Sequence, residues 1–211
     1  MSDAEIPGGN TVSLSCGLAH PMPPVITVAH GGGGSVMHGL IDGLFLRAFA
    51  NEHLAQQTDA ATLRVHGGRI AFTTDTFVVQ PLEFPGGDIG ALAIYGTVND
   101  LAMAGARPLY LSAGFVLEEG LALADLERIV GSMQRAAQRA GVQVVTGDTK
   151  VVERHGVGGM FINTAGIGVV EHQRELGPRQ VRPGDRVLVN GDLGRHGMAI
   201  MAVREGLEFE T

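Results

Sequence analysis

The chain contains no tryptophan, one cysteine and one lysine, and aromatic residues make up only 5% of its 211 positions. Each shortage excludes something. Without stacking aromatics, a surface for single-stranded nucleic acid has no platform to offer the bases. The sole cysteine, Cys16, rules out an internal disulfide and a cysteine-rich zinc site. Basic runs are also absent, and a net charge of -7 repels a phosphate backbone, so nucleic acid is excluded as a partner. No apolar stretch is long enough to span a bilayer, so no membrane is expected as a partner either. Met1 to Asn10 include two acids and no basic region ahead of an apolar block. They do not read as a signal peptide, and the cytoplasm is the expected location.

Glycine, by contrast, is abundant, with 32 residues and no Gly-X-Y period. That points to tight turns or to backbone that approaches ligands closely. A hydrophobic content of 45% can fill a core. Residues 1–24, ending in Pro21-Met22-Pro23-Pro24, read as a mobile arm. Val25 to Ala29 is a β-branched run expected to be a strand. The loop His30-Gly31-Gly32-Gly33-Gly34-Ser35 follows, and a helix from Val36 to Phe49 with Ser35 as its N-cap. Ala61 to Val65 and Arg69 to Thr73 flank a glycine turn as a hairpin, with a third strand from Thr76 to Gln80. Asp88 caps an apolar helix from about Ile89 to Ala104. A strand from Pro108 to Leu117, an amphipathic helix from Ala124 to Arg139, and strands from Val142 to Thr146 and Met160 to Val170 come next. The order predicts an α/β (α+β) fold with hairpin and crossover connections. From about residue 175, a turn, a strand from Val187 to Asn190, a second glycine loop and a helix from Met198 read as the opening of another domain.

Five places could carry chemistry. Glycines between a strand and a helix start let backbone N–H groups face an anion, although four glycines alone equally make a flexible turn. Asp75, between two short apolar strands, is either a turn former or a metal ligand. Asp59 stands at the start of the hairpin, where a solvated loop role is also open. Asn99-Asp100 interrupts an apolar helix. A buried carboxylate there needs a metal or a cation such as Arg107. Finally, Gly147-Asp148-Thr149-Lys150 follows a strand, where site residues often gather, or else makes a turn of solvated charges. Asp148 could hold magnesium, Thr149 could bond a phosphate, and Lys150 could neutralise phosphate or move a proton. Lys150 is the only lysine, which suggests a need for a compact ammonium. His20, His53 and His172 read as surface residues, and the methionines as core filler.

Taken in order, Ala29-His30-Gly31-Gly32-Gly33-Gly34, Phe72-Thr73-Thr74-Asp75-Thr76-Phe77-Val78-Val79 and Phe84-Pro85-Gly86-Gly87-Asp88 resemble the PurM-type ATP-binding superfamily. Gly96-Thr97-Val98-Asn99-Asp100-Leu101, Val145-Thr146-Gly147-Asp148-Thr149-Lys150 and Phe161-Ile162-Asn163-Thr164-Ala165-Gly166 extend the likeness over about residues 25–211. Within that superfamily the chain is most similar to the HypE group of hydrogenase-maturation carbamoyl dehydratases. AIR synthetases, selenophosphate synthetases and thiamine-monophosphate kinases are the related enzyme alternatives, and a non-catalytic dimerisation and docking module is a third.

The resemblance implies a PurM-like N-terminal domain over residues 25–174, with a mixed, mostly antiparallel sheet flanked by helices. It also implies that the sheets of two copies pair into a shared barrel in a homodimer. ATP and Mg2+ are its cofactors. Asp59, Asp75, Asp100 and Asp148 would form the magnesium-phosphate shell, with Asn99 beside it. Gly32, Gly33 and Gly34 would wrap the phosphates, and Thr149 would bind them. Lys150 would stand near the reacting group. In the implied reaction, ATP phosphorylates the carbamoyl oxygen on a C-terminal cysteine, and loss of phosphate and a proton leaves a thiocyanate. That thiocyanate is the source of the cyanide ligands of [NiFe]-hydrogenase. A HypF-type carbamoyltransferase and HypC/HypD-type maturation proteins are the implied partners. Residues 175–211 would be the beginning of a truncated second domain. The carrier cysteine would lie beyond it, so a fragment of this extent could not complete the reaction on itself.

Overall fold

In a computed structural model, which describes residues 29, 33–46, 53–154 and 159–206, the chain forms two compact units, 1–51 and 52–211. The expected arm at residues 1–24 lies outside the described residues, as does the strand expected at Val25 to Ala29 except for Ala29, which is exposed and in a 3-10 turn. In the first unit, α1 covers Ser35–Leu40 and runs into a wide π-type turn at Ile41–Phe45. Ser35 is the first helical residue rather than the cap. Gly34 occupies the N-cap with extended backbone and no side-chain bond. Gly39 and Gly43 fall inside this segment, and glycine is about 1 kcal/mol less favourable than alanine in a helix. None of α1 is buried.

The second unit is built on a five-stranded sheet. Its strands are β1 (Ala61–Val65), β2 (Gly68–Phe77), β5 (Arg107–Glu118), β6 (Gln143–Val152) and β7 (Met160–Val169), in the order β1-β2-β7-β5-β6. All pairs are antiparallel except β5 with β6. Parallel neighbours need a crossover, and the helix α3 (Leu123–Ala140) supplies it. The helix α2 (Ile89–Met103) follows the two-residue strands β3 (Glu83–Phe84) and β4 (Gly87–Asp88). It packs on β2, β7, β5 and α3. A last helix, α4 (Arg195–Glu205), places Ile200 in the same core.

Burial alternates strictly along β7: Met160, Ile162 and Thr164 face the helices, and Asn163 and Ile167 face out. One side of the sheet is therefore covered by α2, and the other is open among the described residues. The core joins Ile89, Ala93 and Ile94 of α2 to Leu111 of β5, Ile129 and Met133 of α3, and Ile162 of β7. As expected, Asp88 caps α2, accepting from Ala91 N–H at 2.9 Å. Its second oxygen accepts from Ser132 Oγ and so ties α2 to α3.

The two helices touch at Gly90. A Cβ there would lie 2.6 Å from the Ile129 carbonyl oxygen and 2.9 Å from Met133 Cγ. Overpacking of this kind costs about 1–3 kcal/mol, against about 1 kcal/mol gained in helix propensity. The closest atom is a backbone carbonyl oxygen that cannot swing aside, so the upper end of that cost applies. Gly90→Ala should lower the melting temperature by roughly 4–8 °C, the shift that a net loss of about 2 kcal/mol produces in a chain of this size, as read by calorimetry.

Several expected boundaries move. Arg69–Thr73 and Thr76–Phe77 belong to one continuous strand, so Asp75 is a mid-strand residue. Gly147-Asp148-Thr149-Lys150 likewise lies inside β6, which runs on to Val152 as an exposed edge. Val187 to Asn190 is not a strand: nothing described pairs with it, and Val187 and Leu188 are 93% and 90% exposed. On α3 the buried face is Ile129, Ser132, Met133, Ala136 and Ala137, and Val130 points away from it. Met133 and Met160 are core residues, but Met103, Met198 and Met201 are exposed. His53 and His172, expected at the surface, are half-buried: His53 Nδ1 and His172 Nε2 are buried, and His172 Nδ1 accepts from Arg174 N–H. Among the described residues no helix is long and apolar enough to cross a membrane.

Candidate functional site

Strand periodicity sets the first part of the site. In β2, Ala71, Thr73, Asp75 and Phe77 point to the helix side, because every second residue shares a face. That puts Asp75 under α2, where a Cβ added to Gly96 would lie 3.7 Å from Asp75 Oδ2. From α2, Asp100 comes down beside Thr73, whose hydroxyl donates to Asp100 Oδ2 at 3.0 Å. The same hydroxyl donates to the Asp59 carbonyl at 2.9 Å, which fixes the segment entering β1.

Burial raises the Asp100 carboxyl above the usual aspartate range. The Thr73 hydrogen bond opposes that rise, and the nearby charges of Asp75 and Asp59 add to it. So Asp59 and Asp75 each lie close enough to Asp100 for their charges to act on it. Among the described residues no ion pair to these three is found, and Arg107, the cation expected for Asp100, pairs instead with Glu171 at 2.8 Å. Asn99 is exposed and points away from Asp100, as adjacent helix residues do.

Among the described residues, no three His, Cys, Asp or Glu side chains form a cage for a metal ion. Mg2+ needs none, since it is held by one or two carboxylates and completed by water and phosphate oxygens. The oxygen-only donors Asp59, Asp75 and Asp100, two of them part-buried and none ion-paired among the described residues, suit that ion in kind.

Asp148 and Lys150 lie elsewhere. Across the sheet, Asp148 pairs with Gly114, Gly114 with Asn163, and Asn163 with Thr76. This row faces the open side, opposite to Asp75. The single four-aspartate shell implied by the resemblance is thus divided within the chain, because Asp75 and Asp148 occupy strand positions of opposite parity. Lys150 Nζ pairs with Asp148 Oδ2 at 2.9 Å, and both are well exposed. The Lys150 hydrogen bond, then the Thr149 backbone N–H, hold the Asp148 carboxyl below its ordinary range. Gly147 has a backbone reason to be glycine: a Cβ would stand 2.2 Å from the Ala113 carbonyl oxygen.

Asn163 lies in the middle of the row. Its Nδ2 donates to Thr76 Oγ1 at 2.8 Å and to the Asp75 carbonyl at 3.0 Å. Neither Thr73 nor Asn163 is an obvious site residue from sequence. The available signal was parity, since Thr73 stands two before Asp75 on a strand.

Gly33 and Gly34 belong to the first unit, and Gly32 lies outside the described residues. Gly33 has a φ of 73°, and its N–H approaches Met37 Sδ at 3.2 Å. The six-residue α1 behind them is too short to develop a strong dipole.

A mixed sheet with acids clustered under its helix layer defines a class. The chain belongs to the AIR synthase related proteins, whose N-terminal domain matches residues 57–170. More particularly, it is similar to the carbamoyl dehydratase HypE of Azotobacter vinelandii, with 58% identity over 187 residues, 88% of this chain and 54% of that protein. It is also similar to HypE in the crystal structure of a HypE–HypF complex, at TM-score 0.76 and 52% identity over 82% of this chain and 55% of that one. Hydrogenase maturation protein HypE in complex with ATP gives TM-score 0.66 and 50% identity over 88% of this chain and 55% of that one. The chain spans about half the length of the curated relatives it matches. Asp59, Asp75, Asn99, Asp100, Asp148, Thr149 and Lys150 all fall inside the matched 57–170 segment, and the glycine loop precedes it.

Proposed function

We propose that this chain is the ATP-binding N-terminal part of a hydrogenase-maturation carbamoyl dehydratase, acting on a C-terminal S-carbamoyl-cysteine to give a thiocyanate. One observation carries the reading. Three aspartates are gathered with no ion pair among the described residues, in a chain that is 58% identical to a carbamoyl dehydratase HypE. Uncompensated carboxylates are costly in a fold and suit a site that receives a metal.

When bound, Mg2+-ATP supplies the phosphoryl group that turns the carbamoyl oxygen into a leaving group, while the metal neutralises phosphate charge. Asp59, Asp75 and Asp100 would hold the metal. Asp148 and Lys150 would meet phosphate from the open face, and Thr149, which alternates with them along β6, would meet it from the other side of that edge strand. Lys150 offsets anionic charge, and Asp148 keeps the ammonium in place. The glycines at 32–34 close over the nucleotide with backbone N–H groups. A second domain would begin at about residue 175 and include the exposed Val187 to Asn190 segment. The protein works in the cytoplasm as a homodimer, receives carbamoyl groups with a HypF-type partner, and passes cyanide on through HypC/HypD-type proteins.

The test is titration calorimetry with Mg2+-ATP. Binding is expected, and Asp148→Asn should weaken it about tenfold, or roughly 1.4 kcal/mol. Its melting temperature should not change, because the side chain is exposed. Unchanged affinity would remove Asp148 from the site.

A further inference from the structure

We propose that Thr73 is a positioning residue that holds the aspartate cluster in metal-binding geometry through its hydroxyl. The inference rests on the reading of Asp59, Asp75 and Asp100 as the metal-holding set. Thr73 is 6% exposed and sits on the helix side of β2. A buried hydroxyl is costly unless its proton is used, so valine would be the default at such a position. Here one proton is shared between two acceptors, the Asp59 carbonyl at 2.9 Å and Asp100 Oδ2 at 3.0 Å.

Those two bonds reach two different parts of the fold. One holds the peptide that carries Asp59 ahead of β1, and the other holds the carboxylate brought by α2. Asp75, the third acid, is set by the strand itself. It lies two residues further along β2 on the same face, about 6.6 Å away. Thr73 thus ties the Asp59 peptide to the Asp100 carboxylate, on the same strand face that carries Asp75. Removing the hydroxyl frees Asp100 to turn toward solvent and lets the Asp59 peptide shift. The charges of Asp59 and Asp75 acting on Asp100 favour both movements.

The test compares Thr73→Val, which keeps the branched shape, with Thr73→Ser, which keeps the hydroxyl. Mn2+ affinity is read by water-proton relaxation in the presence of ADP, and ADP affinity without metal is read by calorimetry. Thr73→Val should weaken Mn2+ binding about tenfold or more, with metal-free ADP affinity within about twofold of the parent. Thr73→Ser should stay within about threefold on both. Full Mn2+ affinity in folded Thr73→Val overturns the proposal, as does an equal loss in Thr73→Ser, which would make packing the cause. If Thr73→Val does not fold, Thr73→Ala takes its place with the same expectation, and failure of that variant to fold makes Thr73 structural and overturns the proposal. Asp100→Asn run alongside separates the two claims. Parental Mn2+ affinity in Asp100→Asn refutes the carboxylate reading itself. Loss there without loss in Thr73→Val refutes only the role of Thr73.

Discussion

Replacing Asp100 by asparagine is expected to weaken Mg2+-ATP binding about a hundredfold, close to 2.7 kcal/mol, while making the protein more stable. The two effects have one origin. Asp100 is a part-buried carboxylate beside two others, and its carboxyl is raised by burial first and by those charges after. Asparagine keeps an oxygen for the Thr73 hydroxyl and removes the charge. Near neutral pH the melting temperature should rise by only about 1–2 °C, because solvent still reaches and screens this carboxylate, which holds the gain to about 0.5 kcal/mol. The gain fades with acid. A carboxyl whose folded-state pKa is raised takes up its proton more readily in the folded protein than in the unfolded chain. The advantage of the variant should therefore be complete above the raised pKa of Asp100 and vanish below the ordinary aspartate range. Calorimetry across that interval, with nucleotide titration at neutral pH, checks both halves. A variant that loses stability as well as affinity would show that Asp100 is structural.

If the proposed homodimer forms through the open face of the sheet, Ile167→Arg is expected to leave a folded monomer, with association weakened at least a hundredfold or so. On the open face of the sheet, Phe72 of β2 pairs with Ile167 of β7, and Ile167 with Tyr110 of β5. These three side chains are 44%, 37% and 42% exposed and form an apolar stripe across three strands. A stripe of that kind marks a contact surface, and its centre is the place where a buried charge does most damage. Sedimentation velocity reads the change in mass. The melting temperature extrapolated to low concentration should barely move, because the residue faces away from the core. A parent protein that sediments as a monomer would refute the dimer outright.

Much of the fold was legible in the sequence, and its limits have physical reasons. The 3.6-residue spacing of Leu126, Ile129, Met133 and Ala137 located α3, and Asp88 marked the start of α2 by capping chemistry. The misplaced boundaries share a cause. Thr73, Thr74, Asp75 and Thr76 look like a polar break between two strands, yet each threonine hydroxyl has a partner supplied by a remote element. β-branched residues satisfied in that way continue a strand. Gly147-Asp148 looked like a turn for a related reason, since its glycine answers to the close carbonyl of Ala113 on the next strand. Among the site residues, a composition of scattered acids suggested a metal, and the family resemblance chose which acids. The division of Asp75 from Asp148 between two faces was not visible, because it depends on the register of four strands. The pairing of Arg107 with Glu171 rather than Asp100 was hidden likewise.

The alternation along β2 has a consequence for how such a protein can change. Thr73 and Asp75 answer to the acids gathered under α2, while Phe72, Thr74 and Thr76 answer to whatever meets the open face. Five consecutive codons thus serve two separate masters. Lineages can remodel the even-numbered positions to suit a new neighbour without disturbing the odd-numbered ones, and a scan of substitutions along this strand should yield two interleaved records rather than one.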